Sequence, residues 1–132
     1  MHIVHTYTKN MGIDVNNKNK FTFAERWGLV SQAKLGHKVT LICGGRVRKK
    51  KKYIWKGINV IELPIALEFT DTTRLIRGFF RELIHINADV FHTHPYCYLV
   101  PEITLLAAKL KRKPVFLTLH VAFNEQIGFM RM

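Results

Sequence analysis

The chain has 132 residues, with 21 Lys and Arg against 9 Asp and Glu, so its formal net charge is +12 at neutral pH with histidine neutral. Hydrophobic residues make up 48% of the chain and charged residues 23%, which excludes a disordered tail and suits a single globular domain. The sequence lacks a run of roughly 20 apolar residues, a signal-peptide layout and a CxxC pattern, so we expect a cytoplasmic protein without a disulfide framework, in which Cys43 and Cys97 are reduced thiols.

The first part of the chain predicts a strand, a helix and a second strand. Residues 3–6 form a short β-rich run, which a polar, asparagine-rich loop follows. A helix is then predicted, and Gly36 is placed to end it. One side of this helix is traced by Phe23, Ala24, Trp27, Val30, Ser31 and Leu35. Residues 39–43 are apolar apart from Thr40, as in a strand covered on both faces, and a glycine pair closes them.

The second part predicts three more strands and two helices. After the basic run RVRKKKK come a short extended piece at 53–55 and a strand at 59–63 that Pro64 stops. A helix, with Thr70 or Asp71 as its N-cap, is predicted from the stripe of Leu75, Ile76, Phe79, Phe80, Leu83 and Ile84. A strand is predicted at 90–93 and another at 115–120. Pro101 opens the helix between them, whose apolar face is Ile103, Leu106, Ala107 and Leu110.

This alternation predicts an α/β fold, a Rossmann-like doubly wound parallel sheet, because each parallel crossover needs a helix. In such sheets ligands bind beyond the carboxyl ends of the strands. Four of the seven histidines fall at the predicted strand ends: His5, His92, His94 and His120. An imidazole there can bond a sugar hydroxyl or a phosphate, although histidines at strand ends also serve to satisfy nearby backbone groups.

A metal site is a further interpretation of the same histidines, because a His-x-His pair with additional histidines can ligate zinc or manganese. Metal hydrolases usually add carboxylates, and Asp14 and Asp89 are the only aspartates that the pattern places near this edge. We therefore expect no metal, and we keep a metal hydrolase as an alternative hypothesis. A nicotinamide site, a P-loop and a GxSxG nucleophile elbow all lack their glycine patterns here.

The basic run lies between two predicted strands, where a solvated loop is its simplest interpretation. Its functional interpretation is contact with anionic lipid headgroups or another anion by Arg46, Arg48, Lys49, Lys50, Lys51 and Lys52. Arg74, Arg77 and Arg81 form a second basic stripe, opposite the apolar face of the predicted helix. Nucleic-acid binding would call for aromatic residues among the basic ones, and only Tyr53 and Trp55 are placed so.

Three segments carry a resemblance to a known family: LGHKVTLICGG, GINVIELP and ADVFHTHPYCYLVPEITLLAAKLKRKPVFLTLH. Together, after a strand at the N-terminus, they resemble the N-terminal, acceptor-side domain of GT-B retaining glycosyltransferases of family four. The resemblance covers nearly all of residues 1–132 but only the first part of the family's usual length. It therefore implies one incomplete Rossmann-like domain, half of a GT-B fold, without the donor-binding domain.

The resemblance implies transfer of a sugar, with retention of configuration, from a nucleotide-sugar donor to a saccharide or lipid-linked acceptor, with no cofactor and no metal. It gives His120 a catalytic place beside the transferred sugar, and it places His94 and Tyr96 at the acceptor. Gly12 stands in for the family's glycine pair at the donor phosphates, unless Asn19 and Lys20 occupy those positions. The isolated chain would be inactive without a donor-binding domain, in cis or in trans.

A basic domain of this kind suits a peripheral position on the inner membrane face. The competing hypothesis is a non-catalytic basic module that binds nucleic acid or an anionic membrane surface, of which nucleic acid is the less expected partner.

Overall fold

The architecture is a sheet with helices on both faces. A computed structural model of the chain describes residues 1–9, 25–70, 73–94 and 98–118. The described residues form β1 (His2–Tyr7), α1 (Glu25–Lys34), β2 (Lys38–Gly45), β3 (Lys51–Trp55), β4 (Ile58–Glu68), β5 (Arg74–Ile76), α2 (Phe79–His85), β6 (Val90–Thr93), α3 (Val100–Lys111) and β7 (Val115–Leu117). No helix within these described ranges is long and apolar enough to cross a bilayer.

The strand order is β3-β4-β2-β1-β6-β7, and β5 pairs with β4 beside this path. Strands β1, β2, β4, β6 and β7 are parallel, whereas β3 and β5 are antiparallel to β4. The α/β, Rossmann-like fold class predicted from the sequence is confirmed. The sheet is mixed rather than wholly parallel, because two short strands fold back along β4.

Two apolar cores lie on opposite faces of the sheet, since alternate strand residues belong to different clusters. On one face α1 covers the strands with Leu29 and Val30. On the other face α2 and α3 pack over Val4, Ile42 and Phe91. Cys43 is buried in the first core, as expected of a reduced thiol, and burial raises the pKa of that thiol well above its usual value. Cys97 lies outside the described residues.

The prediction that Pro64 stops its strand is wrong, because β4 continues to Glu68. Pro64 is the last residue of β4 in register with β2, opposite Gly45. From Ile65 onward β4 pairs with β5 instead, with a register shift between Ile65 and Leu67. A proline needs no ladder hydrogen bond at such a change of partner, so the strand passes through it.

The long helix predicted from the stripe at 75–84 is also wrong in its first turns. Leu75 and Ile76 belong to β5, and α2 begins only at Phe79. Gly78, at φ 74°, makes the turn between them, so Thr70 is not the N-cap and Asp71 lies outside the described residues. Two apolar strand residues followed by a helix reproduced the helical spacing, and the glycine was the signal that separated them.

The other two helices expose part of the apolar side that was predicted to be buried. In α3 the buried residues are Val100, Pro101, Thr104, Ala107 and Ala108, whereas Leu106 and Leu110 are exposed. Near α1, Trp27 and Leu35 are exposed, and Trp27 stacks at an angle against Trp55. The basic run is not only a loop either, because Lys51 and Lys52 begin β3.

Candidate functional site

The strand order creates one switch point in the sheet, between β1 and β6. The chain leaves β1 outward through β2 and β4, then returns to place β6 and β7 on the other side of β1. In open α/β sheets such a reversal opens a crevice beyond the carboxyl ends of the two strands, and ligands bind there. The residues at the ends of β1 and β6 are therefore the first candidates for a site.

Three histidines meet at this switch point and form what we call the histidine cluster: His5, His92 and His94. His5 and His92 are register partners on β1 and β6, and His94 follows His92 on the same face. The ring centroids of His5 and His92 are 4.6 Å apart, and those of His92 and His94 are 4.8 Å apart in a stacked arrangement. One ring nitrogen from each histidine lies within 4.8 Å of the other two.

Hydrogen bonds fix the rings of the cluster. The Nε2 atom of His5 lies 2.7 Å from Oε1 of Gln32, on α1. An amide oxygen only accepts, so Nε2 carries the proton and Nδ1 presents a lone pair to Nε2 of His94, 3.4 Å away. His92 bonds through Nε2 to the hydroxyl of Thr118. Tyr7 presents its ring edge-on to His94 at 5.6 Å between centroids.

The cluster is largely withdrawn from solvent. His5 and His94 are 1% and 2% exposed, and His92 is partly buried. Burial, aided by the neighbouring His92, lowers the pKa of His5 to about 4, although the hydrogen bond to Gln32 acts in the opposite direction. His5 is therefore a neutral imidazole at pH 7.

Threonines occupy the opposite face of the same two strands. The hydroxyls of Thr6 and Thr104 lie 2.9 Å apart, and Thr104 donates to the carbonyl of Val100. Within the described part of the chain, the buried hydroxyls of Thr8 and Thr93 have no hydrogen-bond partner. Thr8 follows the last residue of β1, so its hydroxyl is an unsatisfied polar group at the edge where a ligand would bind.

Gly44 allows the ends of β1 and β2 to lie close together at this edge. A Cβ atom at Gly44 would lie 2.9 Å from the backbone oxygen of Thr8, closer than real Cβ contacts occur. Gly44 was predicted only to close its strand, whereas the structure shows that it also lets the ends of β1 and β2 approach each other. Leu99, the N-cap of α3, holds a positive φ of 75°, a conformation that side chains rarely adopt and that often marks a functional segment.

A second candidate region is a groove of about 1220 Å³ on the face that α2 covers, toward the amino ends of the strands. We call it the basic groove. Its cationic lining is Lys38, Arg48, Lys49, Lys50, Lys52, Arg77 and Arg81, against the carboxylates of Glu82 and Asp89. The Lys50 ammonium bonds both oxygens of Glu82 at 2.7 Å, which neutralises one of the lysines.

The structure gathers part of the predicted basic set into this groove. Arg48, Lys49, Lys50 and Lys52 line it, and Arg46 and Lys51 do not. The predicted arginine stripe divides, because Arg77 and Arg81 enter the groove while Arg74 lies on β5 and pairs with Glu68 at 2.8 Å.

Among the predicted site residues, the structure places His94 in the histidine cluster. Gly12, Tyr96 and His120 lie outside the described residues, as do Asp14, Asn19 and Lys20. Asp89 lies at the opposite edge from the one predicted, where its carboxylate accepts from the backbone nitrogen of His2. No local sequence signal marks Gln32 and Thr118, whose pairing with the histidines depends on the packing of α1 and β7.

The fold and the switch-point crevice define a Rossmann-like α/β protein with a histidine-lined carboxyl edge. Comparisons of the chain with models of protein families, with curated proteins and with solved structures find no match.

Proposed function

We propose that the chain is the acceptor-side domain of a retaining glycosyltransferase, which transfers a sugar from a nucleotide-sugar to a saccharide or lipid-linked acceptor. The observation that carries the proposal is the switch point between β1 and β6, where His94 and Thr8 lie at the carboxyl edge. The sequence resemblance assigns acceptor contact to the same segment after β6. The position in the fold and the sequence resemblance both support the segment after β6 as the proposed acceptor site.

The side chains at this edge suit a polyhydroxylated ligand. An imidazole nitrogen can donate to or accept from a sugar hydroxyl, and this is the role that the proposal gives His94. The hydroxyl of Thr8, at the same edge but on the other face of the sheet, can gain the hydrogen bond that it lacks within the described residues. The described cluster at the switch point contains imidazoles and no carboxylate, so we assign the chain no nucleophile. Under this proposal His120 contacts the transferred sugar, Tyr96 the acceptor and Gly12 the donor phosphates.

The basic groove supports the membrane-facing part of the proposal. Lipid-linked acceptors are reached at an anionic surface, and each Lys or Arg near such a surface contributes about 1 kcal/mol to binding. Arg48, Lys49 and Lys52 are exposed residues of the groove. We propose that this face of the chain lies against the inner membrane leaflet while the switch-point edge holds the acceptor.

The test uses the native protein purified from its source cells, so that any donor-binding domain or partner subunit is retained. A panel of nucleotide-sugars is supplied with membrane lipid extract as acceptor, and release of the nucleoside diphosphate is measured. We expect release that depends on the extract. Replacement of Thr8 by the isosteric valine should raise KM for the acceptor and leave KM for the donor unchanged. Absence of release with every donor would overturn the proposal.

A second function, a non-catalytic nucleic-acid module, is favoured by one observation, the cationic lining of the basic groove. It predicts binding of single-stranded or duplex oligonucleotides that weakens steeply as salt is raised. Retention of the protein on anionic vesicles, without affinity for oligonucleotides, distinguishes the membrane proposal from this one.

A further inference from the structure

The distance between two nitrogens in the histidine cluster matches the spacing of two ligands on one metal ion. Two nitrogens that each lie about 2.0–2.1 Å from a tetrahedral zinc ion are about 3.3–3.4 Å apart. Nδ1 of His5 and Nε2 of His94 are separated by 3.4 Å. The same separation lies at the long end of a hydrogen bond, so in the metal-free chain Nε2 of His94 can donate to Nδ1 of His5.

The partner of His5 is arranged as in a metal site. Gln32 accepts the proton of Nε2, which leaves the lone pair of Nδ1 directed toward His94. Metal-ligating histidines usually donate their other ring N–H to an oxygen of this kind, which fixes the tautomer and the ring orientation. Gln32 thus fixes the tautomer and the orientation of the His5 ring, as the hydrogen-bond partner of a metal-ligating histidine does.

A third imidazole, His92, completes the cluster, and its ring is oriented by Thr118. One of its nitrogens lies within 4.8 Å of the others, so its ring must move closer for all three to bind one ion. Two of the three rings are buried, one on β1 and the other directly after β6, so an ion between them would join these two strands. Imidazole ligands suit zinc and its neighbours among the first-row metals, and they disfavour magnesium and calcium.

We propose that His5, His92 and His94 bind one divalent transition-metal ion, zinc or a metal of similar preference, at the switch point of the sheet. The ion is held by three imidazoles, one from each histidine of the cluster. This inference goes beyond the proposed function, because it concerns the resting protein and requires neither donor nor acceptor.

The experiment titrates the chelator-treated, metal-depleted chain with zinc chloride alone, followed by calorimetry and by elemental analysis after gel filtration. We expect one zinc per chain and a higher Tm in the presence of the metal. Cobalt(II) chloride should give the visible absorption of a tetrahedral nitrogen-ligated ion. Because no sugar or nucleotide is present, the outcome is independent of the glycosyltransferase assay.

Two variants locate the ion. His94→Gln removes a ligand and should abolish stoichiometric binding, whereas His85→Gln, an exposed histidine on α2, should bind like the parent chain. Gln32→Ala keeps all three ligands and removes the orienting oxygen, so it should weaken zinc affinity about 10–100-fold. Should His94→Gln fail to fold, the parent titration and Gln32→Ala decide the matter. Zinc binding below one equivalent, or unchanged affinity in Gln32→Ala, overturns the proposal.

Discussion

The histidine cluster and the basic groove are two polar regions of one small sheet, and they differ in burial and in charge. In the cluster His5 and His94 are buried, and His5 is neutral because burial disfavours its charged form. In the groove Arg48, Lys49 and Lys52 are exposed to solvent. The cluster therefore acts through fixed atoms at short range, whereas the groove acts through a field that salt screens over about 10 Å.

We therefore expect the histidine cluster and the basic groove to respond to different perturbations. A change of one atom or one proton in the cluster alters packing and stability, because neighbouring atoms cannot relax into water. A change of one charge in the groove leaves the fold nearly untouched and alters only long-range attraction. Three measurements test this contrast.

The largest effect is expected from acid acting on the cluster. The folded pKa of His5 is about 4, below its ordinary value of 6.5, so the unfolded chain takes up this proton first as pH falls. The stability contributed by neutral His5 is complete above pH 6.5 and is lost between about pH 6.5 and 4. At about 1.4 kcal/mol for each pH unit, the loss amounts to about 3.5 kcal/mol.

Urea unfolding of the parent chain and of His5→Gln, in chelator at several pH values, checks this prediction. Glutamine does not titrate, so the variant should lack this part of the pH dependence, while His85→Gln should retain it. His92 and His94 face His5 and are present in parent and variant alike. Equal pH slopes in the parent and in His5→Gln would contradict the assignment.

A smaller effect is expected from removing charge in the groove. The double variant Arg48→Gln, Lys49→Gln should weaken binding to vesicles containing phosphatidylglycerol by about 2 kcal/mol, or about thirtyfold, at low salt. A double variant of equal charge on the helices, Lys34→Gln with Lys109→Gln, serves as the control. Co-sedimentation with vesicles measures both, and equal losses in the two variants would show that net charge alone, not the groove, attracts the membrane.

The smallest effect is expected at the ion pair inside the groove. Glu82→Gln removes the partner of Lys50, whose side chain is 39% exposed, so the free energy of unfolding should fall by no more than about 1 kcal/mol. The same variant frees a lysine for an anion and should strengthen vesicle binding. A larger loss of stability, measured by urea unfolding, would mean that the groove is not the solvated region described here.

The sequence predicted the elements whose signals are local. The apolar runs at 39–43 and 90–93 correspond to β2 and β6 in the structure. The basic run contains four of the cationic residues that line the groove. It did not predict that β4 passes through Pro64 or that Leu75 and Ile76 form β5, because both depend on the pairing of β4 with β5. Gly78 is a local signal for the break before α2, but it does not indicate a strand. The fold class was predictable because the alternation of strands and helices survives such local errors.

The candidate site was predictable in part for the same reason. Strand ends placed His5, His92 and His94 at one edge, since carboxyl ends of parallel strands meet there. The pairing of His5 with Gln32 was not predictable, because it depends on which side of α1 turns toward the sheet. That side differs from the predicted one, as the exposure of Trp27 shows.

The central position of β1 has a consequence for how the chain folds during synthesis. β1 precedes its neighbour β6 by more than eighty residues, and the contact between His5 and His94 joins residues 89 positions apart. Until β6 leaves the ribosome, one edge of β1 has no strand to pair with. Pairing between residues so far apart in sequence slows folding, and until it forms the unpaired edge of β1 is prone to aggregation. The nascent chain should therefore depend on chaperones until residue 94 has emerged.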